Sequence, residues 1–153
     1  MVMLGIVLCT TGAPRTSFCT IDASARTAGQ MKKREKWAGE ATVGTKIYFA
    51  PLVQAAVGVL DTEPATFSTI GPHEPIGPPR SRYMGAAAVG TKVFFGPHNE
   101  DNVGVLDITS STFSTIGTAA ADVVGDRKYS GAATVHDKIY FTPFRQDNIG
   151  VLD

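Results

Sequence analysis

The stretch Gly39-Glu40-Ala41-Thr42-Val43-Gly44-Thr45-Lys46-Ile47-Tyr48-Phe49-Ala50-Pro51 occurs three times in this chain. It returns as Gly85-Ala86-Ala87-Ala88-Val89-Gly90-Thr91-Lys92-Val93-Phe94-Phe95-Gly96-Pro97, and again from Gly131 to Pro143. Two shorter stretches keep step with it. Val57 to Asp61 recurs as Val103 to Asp107 and as Ile149 to Asp153, and Phe67 to Gly71 recurs as Phe113 to Gly117. Every offset is 46 residues, with no insertion between copies. Self-similarity at such a period marks a repeat architecture, in which each unit buries its apolar faces only against its neighbours. An incomplete copy precedes these: Leu8-Cys9-Thr10 falls where Leu60-Asp61-Thr62 falls later, and Phe18-Cys19-Thr20-Ile21 matches Phe67-Ser68-Thr69-Ile70. The chain thus starts and stops in mid-repeat.

Within one unit the residue types predict four short strands. The first, about Gly39 to Val43, is small and apolar. Gly44-Thr45, like Gly90-Thr91 and His136-Asp137, is a two-residue hairpin signal. The second strand, Lys46 to Phe49, is rich in β-branched and aromatic residues and ends at Pro51. A five-residue connection leads to the third, Val57 to Asp61. Glu63-Pro64 or Thr109-Ser110 turns the chain into the fourth, Phe67 to Ile70. Four short strands per unit at this period predict an all-β fold, a β-propeller built from four-stranded antiparallel blades. The small first strand suits the crowded axis of a propeller, and the aromatic residues of the other strands supply volume further out. The expected organisation is a partial blade over residues 1–30, blades over 31–76 and 77–122, and a partial blade over 123–153. That makes about three blades in one domain.

Composition bounds the function. The 153 residues carry 14 basic and 14 acidic side chains. That balance removes the electrostatic case for a nucleic-acid or anionic-membrane partner. No run of apolar residues reaches the length of a membrane-spanning helix. Met1 to Ala13 holds a short apolar segment without the preceding positive charge of a secretory signal. It reads better as a buried strand, and a cytoplasmic setting is the expectation. Cys9 and Cys19 align with Asp61 and Ser68 across a hairpin. Free thiols are expected, with a cross-strand disulfide as the alternative in an oxidising compartment.

Pro79-Arg80-Ser81-Arg82-Tyr83-Met84-Gly85 with the small strand that follows, Lys92-Val93-Phe94-Phe95-Gly96, Val103-Gly104-Val105-Leu106-Asp107 and Phe113 together resemble a kelch repeat. The match lies in the proline–arginine entry, the small first strand, the Lys-apolar-aromatic second strand and the Val-x-Val-x-Asp third strand. It departs where the family has a double glycine, here Ala50-Pro51, Gly96-Pro97 and Thr142-Pro143. It departs again where the family has a late tryptophan, here Phe67 and Phe113. The resemblance covers nearly the whole chain. It implies a propeller with a binding role, and it does not imply an enzyme, since most kelch propellers bind proteins.

On a propeller, the connections between second and third strands share one face with those that lead into the next blade. The former are where the copies differ most: Leu52-Val53-Gln54-Ala55-Ala56, His98-Asn99-Glu100-Asp101-Asn102 and Phe144-Arg145-Gln146-Asp147-Asn148. Variable loops on a constant scaffold are how binding surfaces are built. The candidate partner-binding residues are therefore His98, Asn99, Glu100, Arg145, Gln146 and Arg80, set against the plain alternative of solvated loop residues. His73, Glu74 and Arg82 extend the same face. The periodic Asp61, Asp107 and Asp153 each end a strand before a turn, and are expected to cap it with their own side chains. Asp101-Asn102 and Asp147-Asn148 are read as turn formers. The three histidines lie in separate loops, so no metal site is expected. No cofactor motif or nucleophile elbow is present. Lys32-Lys33-Arg34-Glu35-Lys36 is the one basic run and reads as a solvated surface, within a segment from Ala23 to Trp37 that has the composition of a short helix. Trp37, Tyr83 and Tyr129 align and read as packing positions.

The expected function is a non-catalytic interaction module. The alternatives are a small-ligand or enzymatic propeller with its site on the same loop face, and a structural piece of a larger propeller or assembly. Three blades are too few for a ring. That leaves a fragment of a larger propeller or a truncated gene model, a second copy completing a six-bladed ring, or an open arc whose exposed strand edges and apolar faces promote association, so a well-behaved monomer is not expected.

Overall fold

A computed structural model describes residues 7–11, 17–21, 36–63, 65–71 and 81–153. Residues 23–35 of the expected helix-forming segment, the basic run before Lys36, and Arg80, His73 and Glu74 lie outside the described residues, as does most of Met1 to Ala13; Trp37, the segment's last residue, begins a strand.

Strands β1 (Val7–Thr11) and β2 (Ser17–Ile21) form an antiparallel pair. The first full unit is β3 (Trp37–Val43), β4 (Lys46–Pro51), β5 (Val57–Asp61) and β6 (Thr66–Ile70), in that order across one antiparallel sheet. The second repeats it as β7 (Tyr83–Val89), β8 (Lys92–Pro97), β9 (Asn102–Asp107) and β10 (Thr112–Gly117). A single 3₁₀ turn at Ala119–Ala121 leads to the third, β11 (Tyr129–Val135), β12 (Lys138–Pro143) and β13 (Gly150–Leu152). Up-and-down sheets following one another along the chain are propeller blades. The third sheet has three strands. Its last strand, β13, pairs with β12, and β2 pairs with β1. No helix among the described residues is long and apolar enough to cross a membrane.

The hairpins follow their sequences. Val43 pairs with Lys46 across Gly44-Thr45, and the first turn residue has φ of 59°, 57° and 58° at Gly44, Gly90 and His136. Glycine adopts that left-handed backbone freely, whereas His136 does so at a cost. Asp61 Oδ1 accepts from the Glu63 N–H at 3.3 Å, and Asp107 Oδ1 from the Thr109 N–H at 2.9 Å. These carboxylates cap their turns as expected.

The sheets approach one another through their first strands. A methyl group placed on Gly39 would lie 2.5 Å from the Gly85 Cα, and one on Gly85 would lie 2.5 Å from the Gly131 Cα. A side chain there would hold the blades apart. Between the first and second blades Ala41, Tyr48, Val57 and Val59 pack against Tyr83, Ala86, Val93, Phe95 and Leu106. Between the second and third, Ala87 and Val103 pack against Tyr129, Ile139 and Phe141. The second sheet therefore buries both its faces, one set of residues toward the first blade and one toward the third. The glycine inside each third strand leaves room for aromatic rings: Phe67 and Trp37 lie over Gly58, Phe113 and Tyr83 over Gly104, Tyr129 and Phe141 over Gly150. This explains why a strand otherwise made of Val and Leu keeps a glycine.

Candidate functional site

The variable loops are held by a backbone pattern that repeats with the sequence. The residue before each first strand offers its carbonyl to the loop of its own blade. The Lys36 carbonyl accepts from the Val53 and Gln54 N–H groups, that of Arg82 from His98 and Asn99, and that of Lys128 from Phe144 and Arg145. The same residue donates its N–H to the loop of the blade before it. Arg82 N–H meets the Leu52 carbonyl and Lys128 N–H the His98 carbonyl, both at 2.8 Å. The loops are thus fixed by main chain, and their side chains are left to differ between copies.

Those side chains divide sharply in their surroundings. His98 is buried, and its Nδ1 donates to the Tyr129 carbonyl at 2.8 Å while its ring lies 5.8 Å from that of Phe144. It ties the second blade to the third and does not line a surface. Asn99 accepts the Arg127 N–H through Oδ1 at 2.8 Å. Glu100 approaches Arg82 at 3.7 Å. Gln146 donates from Nε2 to the Val124 carbonyl at 3.0 Å. Arg145 is exposed. Of the candidates from sequence, His98, Asn99 and Glu100 sit on one loop. Arg145 and Gln146 sit on the equivalent loop of the next blade, and Arg80 lies outside the described residues.

Three arrangements were not foreseen. Lys128 is fully buried, its ammonium 3.1 Å from the exposed carboxylate of Asp101 and within reach of the Gly125 carbonyl. Asp101, in the bend that leads into β9, therefore also bridges blades. Asn102 and Asn148 likewise act as acceptors: the Tyr83 hydroxyl donates to Asn102 at 2.5 Å and the Tyr129 hydroxyl to Asn148 at 2.6 Å. In the first blade the pair is replaced as a unit. Trp37 donates from Nε1 to the Ala56 carbonyl at 3.1 Å, so a backbone oxygen does the work of the missing asparagine. The signal was in the 46-residue register, which aligns Lys36 with Arg82 and Lys128, and Ala56 with Asn102 and Asn148. What the register did not carry was the direction in which each side chain points.

Burial pushes the Tyr83 phenol well above its ordinary pKa, the nearby Glu100 carboxylate adds to the shift, and Arg82 opposes it. Burial raises Tyr129 as well. Both are neutral donors at any physiological pH. Asp122, Asp126, Arg127, Arg145 and Asp147 are exposed, so the loop side of the second and third blades is a mixed-charge surface on a rigid frame. No cluster of three or more His, Cys, Asp or Glu suited to a metal occurs among the described residues.

No protein-family model and no curated protein matches the sequence. Solved structures match the fold. Hydrazine synthase of Kuenenia stuttgartiensis aligns with a TM-score of 0.60 over 84% of this chain and 35% of its own, at 16% identity. Virginiamycin B lyase from Staphylococcus aureus aligns at 0.60 over 81% and 40%, at 13% identity. A chain of a nidogen/laminin complex aligns at 0.54 over 75% and 42%, at 19% identity. These are propeller-type proteins. The fold is that of a partial β-propeller. At such identities the likeness extends to fold alone, and the chain spans less than half the length of each of these structures.

Proposed function

We propose that this chain is a non-catalytic, kelch-like propeller module that recognises a protein partner through its loop face. One observation carries the reading. Loop anchoring runs through backbone groups repeated in every blade, while the side chains at those positions differ from copy to copy. A scaffold that anchors its loops through repeated main-chain groups leaves the side chains it does not bind between blades, such as that of Arg145, available for recognition. Exposed charges of both signs, including Arg127 and Arg145, suit a polar protein surface. Where the sequence suggested His98 as a contact, the recognising set shifts outward to Arg127, Arg145 and Gln146, because His98 is consumed between blades.

The test is affinity recovery with cross-linking, comparing the native chain with an Arg127→Glu/Arg145→Glu variant. Neither guanidinium supports a described contact between blades, so the variant should melt with the native protein. A partner recovered by the native chain and lost by the variant is the expected result. Equal recovery by both would refute the assignment of this face.

A further inference from the structure

The two cysteines of the chain fall on the two strands of one hairpin. Its register sets Val7 opposite Ile21, Leu8 opposite Thr20, Cys9 opposite Cys19, Thr10 opposite Phe18 and Thr11 opposite Ser17. Cys9 and Cys19 are therefore direct partners across the ladder. The repeat does not require this. In the first full blade Asp61 faces Thr66 and Val59 faces Ser68. The incomplete copy aligns Cys9 with Asp61, Ser17 with Thr66, Val7 with Val59 and Cys19 with Ser68. A hairpin that kept the blade register would set Cys9 against Ser17 and Cys19 against Val7. In β1 and β2 the partner of Cys9 is instead Cys19, two residues further along. That departure is what places the cysteines opposite one another.

Directly opposed residues of an antiparallel pair have Cα atoms about 4.5 or 5.5 Å apart, according to whether the pair exchanges hydrogen bonds. A disulfide spans Cα separations of about 4.4–6.8 Å. Either kind of opposed position thus admits an S–S bond without movement of the backbone. Opposed residues also share one face of the sheet, whereas a slip of one residue turns a whole strand over. The chain has no third cysteine to compete for either partner.

We propose that Cys9 and Cys19 form a modification site, a reversible cross-strand disulfide that pins the β1–β2 register. The oxidant it takes is a small-molecule disulfide of the glutathione type. The thiolate of one cysteine attacks a sulfur of that disulfide, forming a mixed disulfide and expelling one small thiolate. The thiolate of the other cysteine then attacks the protein sulfur of the mixed disulfide, closing the cross-strand bond and expelling the second small thiolate. The two cysteines lose two electrons and two protons, and the small disulfide gains them as two thiols. An excess of reduced thiol runs the same steps backward. While the bond is closed, every other register of the hairpin is excluded.

The full chain, equilibrated in mixtures of reduced and oxidised glutathione and then alkylated, is the test. Arg15 lies between the two cysteines, so trypsin without reductant separates peptide 1–15 from peptide 16–26 unless the bond joins them. The joined pair is expected by mass as the mixture becomes oxidising, with each chain still running singly on a denaturing, non-reducing gel. Return to a reducing mixture should give two separate alkylated peptides. Cys19→Ser/Ser17→Cys moves the second thiol to the position that the blade register would oppose to Cys9. In the hairpin as described those two positions are diagonal, about 7–8 Å apart, at or beyond the reach of an unstrained disulfide. Half-conversion of that variant should therefore shift to a more oxidising mixture. An unchanged midpoint, or a shift the other way, places Cys9 opposite Ser17 and overturns the proposal. So does glutathione capping the cysteines singly with no joined pair, or linkage found only between chains.

Discussion

Gly85→Ala tests whether the blades are held by contact between their first strands. Gly85 has φ of 83°, a region costing an alanine about 1–2 kcal/mol. Part of that, about 0.4–1 kcal/mol, returns because alanine has less freedom to lose from the unfolded chain. The remaining effect comes from the neighbour. The added methyl would lie 2.5 Å from the Gly131 Cα and carbonyl carbon, which are main chain and cannot rotate away. Relief requires the second and third blades to separate, an overpacking cost of about 1–3 kcal/mol. The sum is about 2–4 kcal/mol, a large part of the roughly 5–15 kcal/mol that stabilises a typical domain. Gly90→Ala is the control. Its φ is 57°, yet nothing lies within 4 Å of the added methyl, so only the backbone cost applies, about 1 kcal/mol net. Urea denaturation followed by far-UV circular dichroism measures both variants. If Gly85→Ala costs no more than Gly90→Ala, the first strands do not pack as described and the blade arrangement is wrong.

His136→Gly should stabilise the chain by about 1 kcal/mol, since it relieves a φ of 58° at an exposed turn where the other two copies already have glycine; a lowered denaturation midpoint would contradict this. Asp101→Ala should destabilise by about 1.5–3 kcal/mol, because it strands the buried Lys128 ammonium, while Lys128→Met keeps the packed stem and should cost less. The same urea titration reads both, and the reverse order would show that the pair does not behave as a buried cation with a surface partner. The raised phenol of Tyr83 predicts alkaline sensitivity. A folded-state pKa above the unfolded value near 10 contributes stability that is complete below pH 10 and is lost as pH rises from there toward the folded value. Tyr83→Phe should lower stability at pH 7 by about 1 kcal/mol through loss of the Asn102 bond and should flatten the decline above pH 10. A decline equally steep in the variant would remove Tyr83 as its source.

The periodicity carried the architecture. Offsets of 46 residues located every strand of the full blades to within two residues, because hairpin signals such as Gly44-Thr45 and strand-ending prolines act on their immediate neighbours. The turn-capping role of Asp61 and Asp107 was legible for the same reason, since each carboxylate bonds a main-chain group two residues away. His98 was misplaced as a surface residue because a polar side chain in a variable loop reads as solvated, and its acceptor is supplied by Tyr129, 31 residues further along. Lys128 and Asp101 escaped for the same reason: neither has a local partner, and only stacking of the second blade on the third brings them together.

Local order, then, was settled by the chain itself: where strands begin and end, which residues turn them, and which positions are small enough for the axis. Burial was settled by neighbours. Val103 and Ile149 occupy the same place in the same repeat, yet one is covered and the other is open. A residue type sets how strongly a side chain avoids water, but only the packing of one sheet against the next decides whether it escapes it.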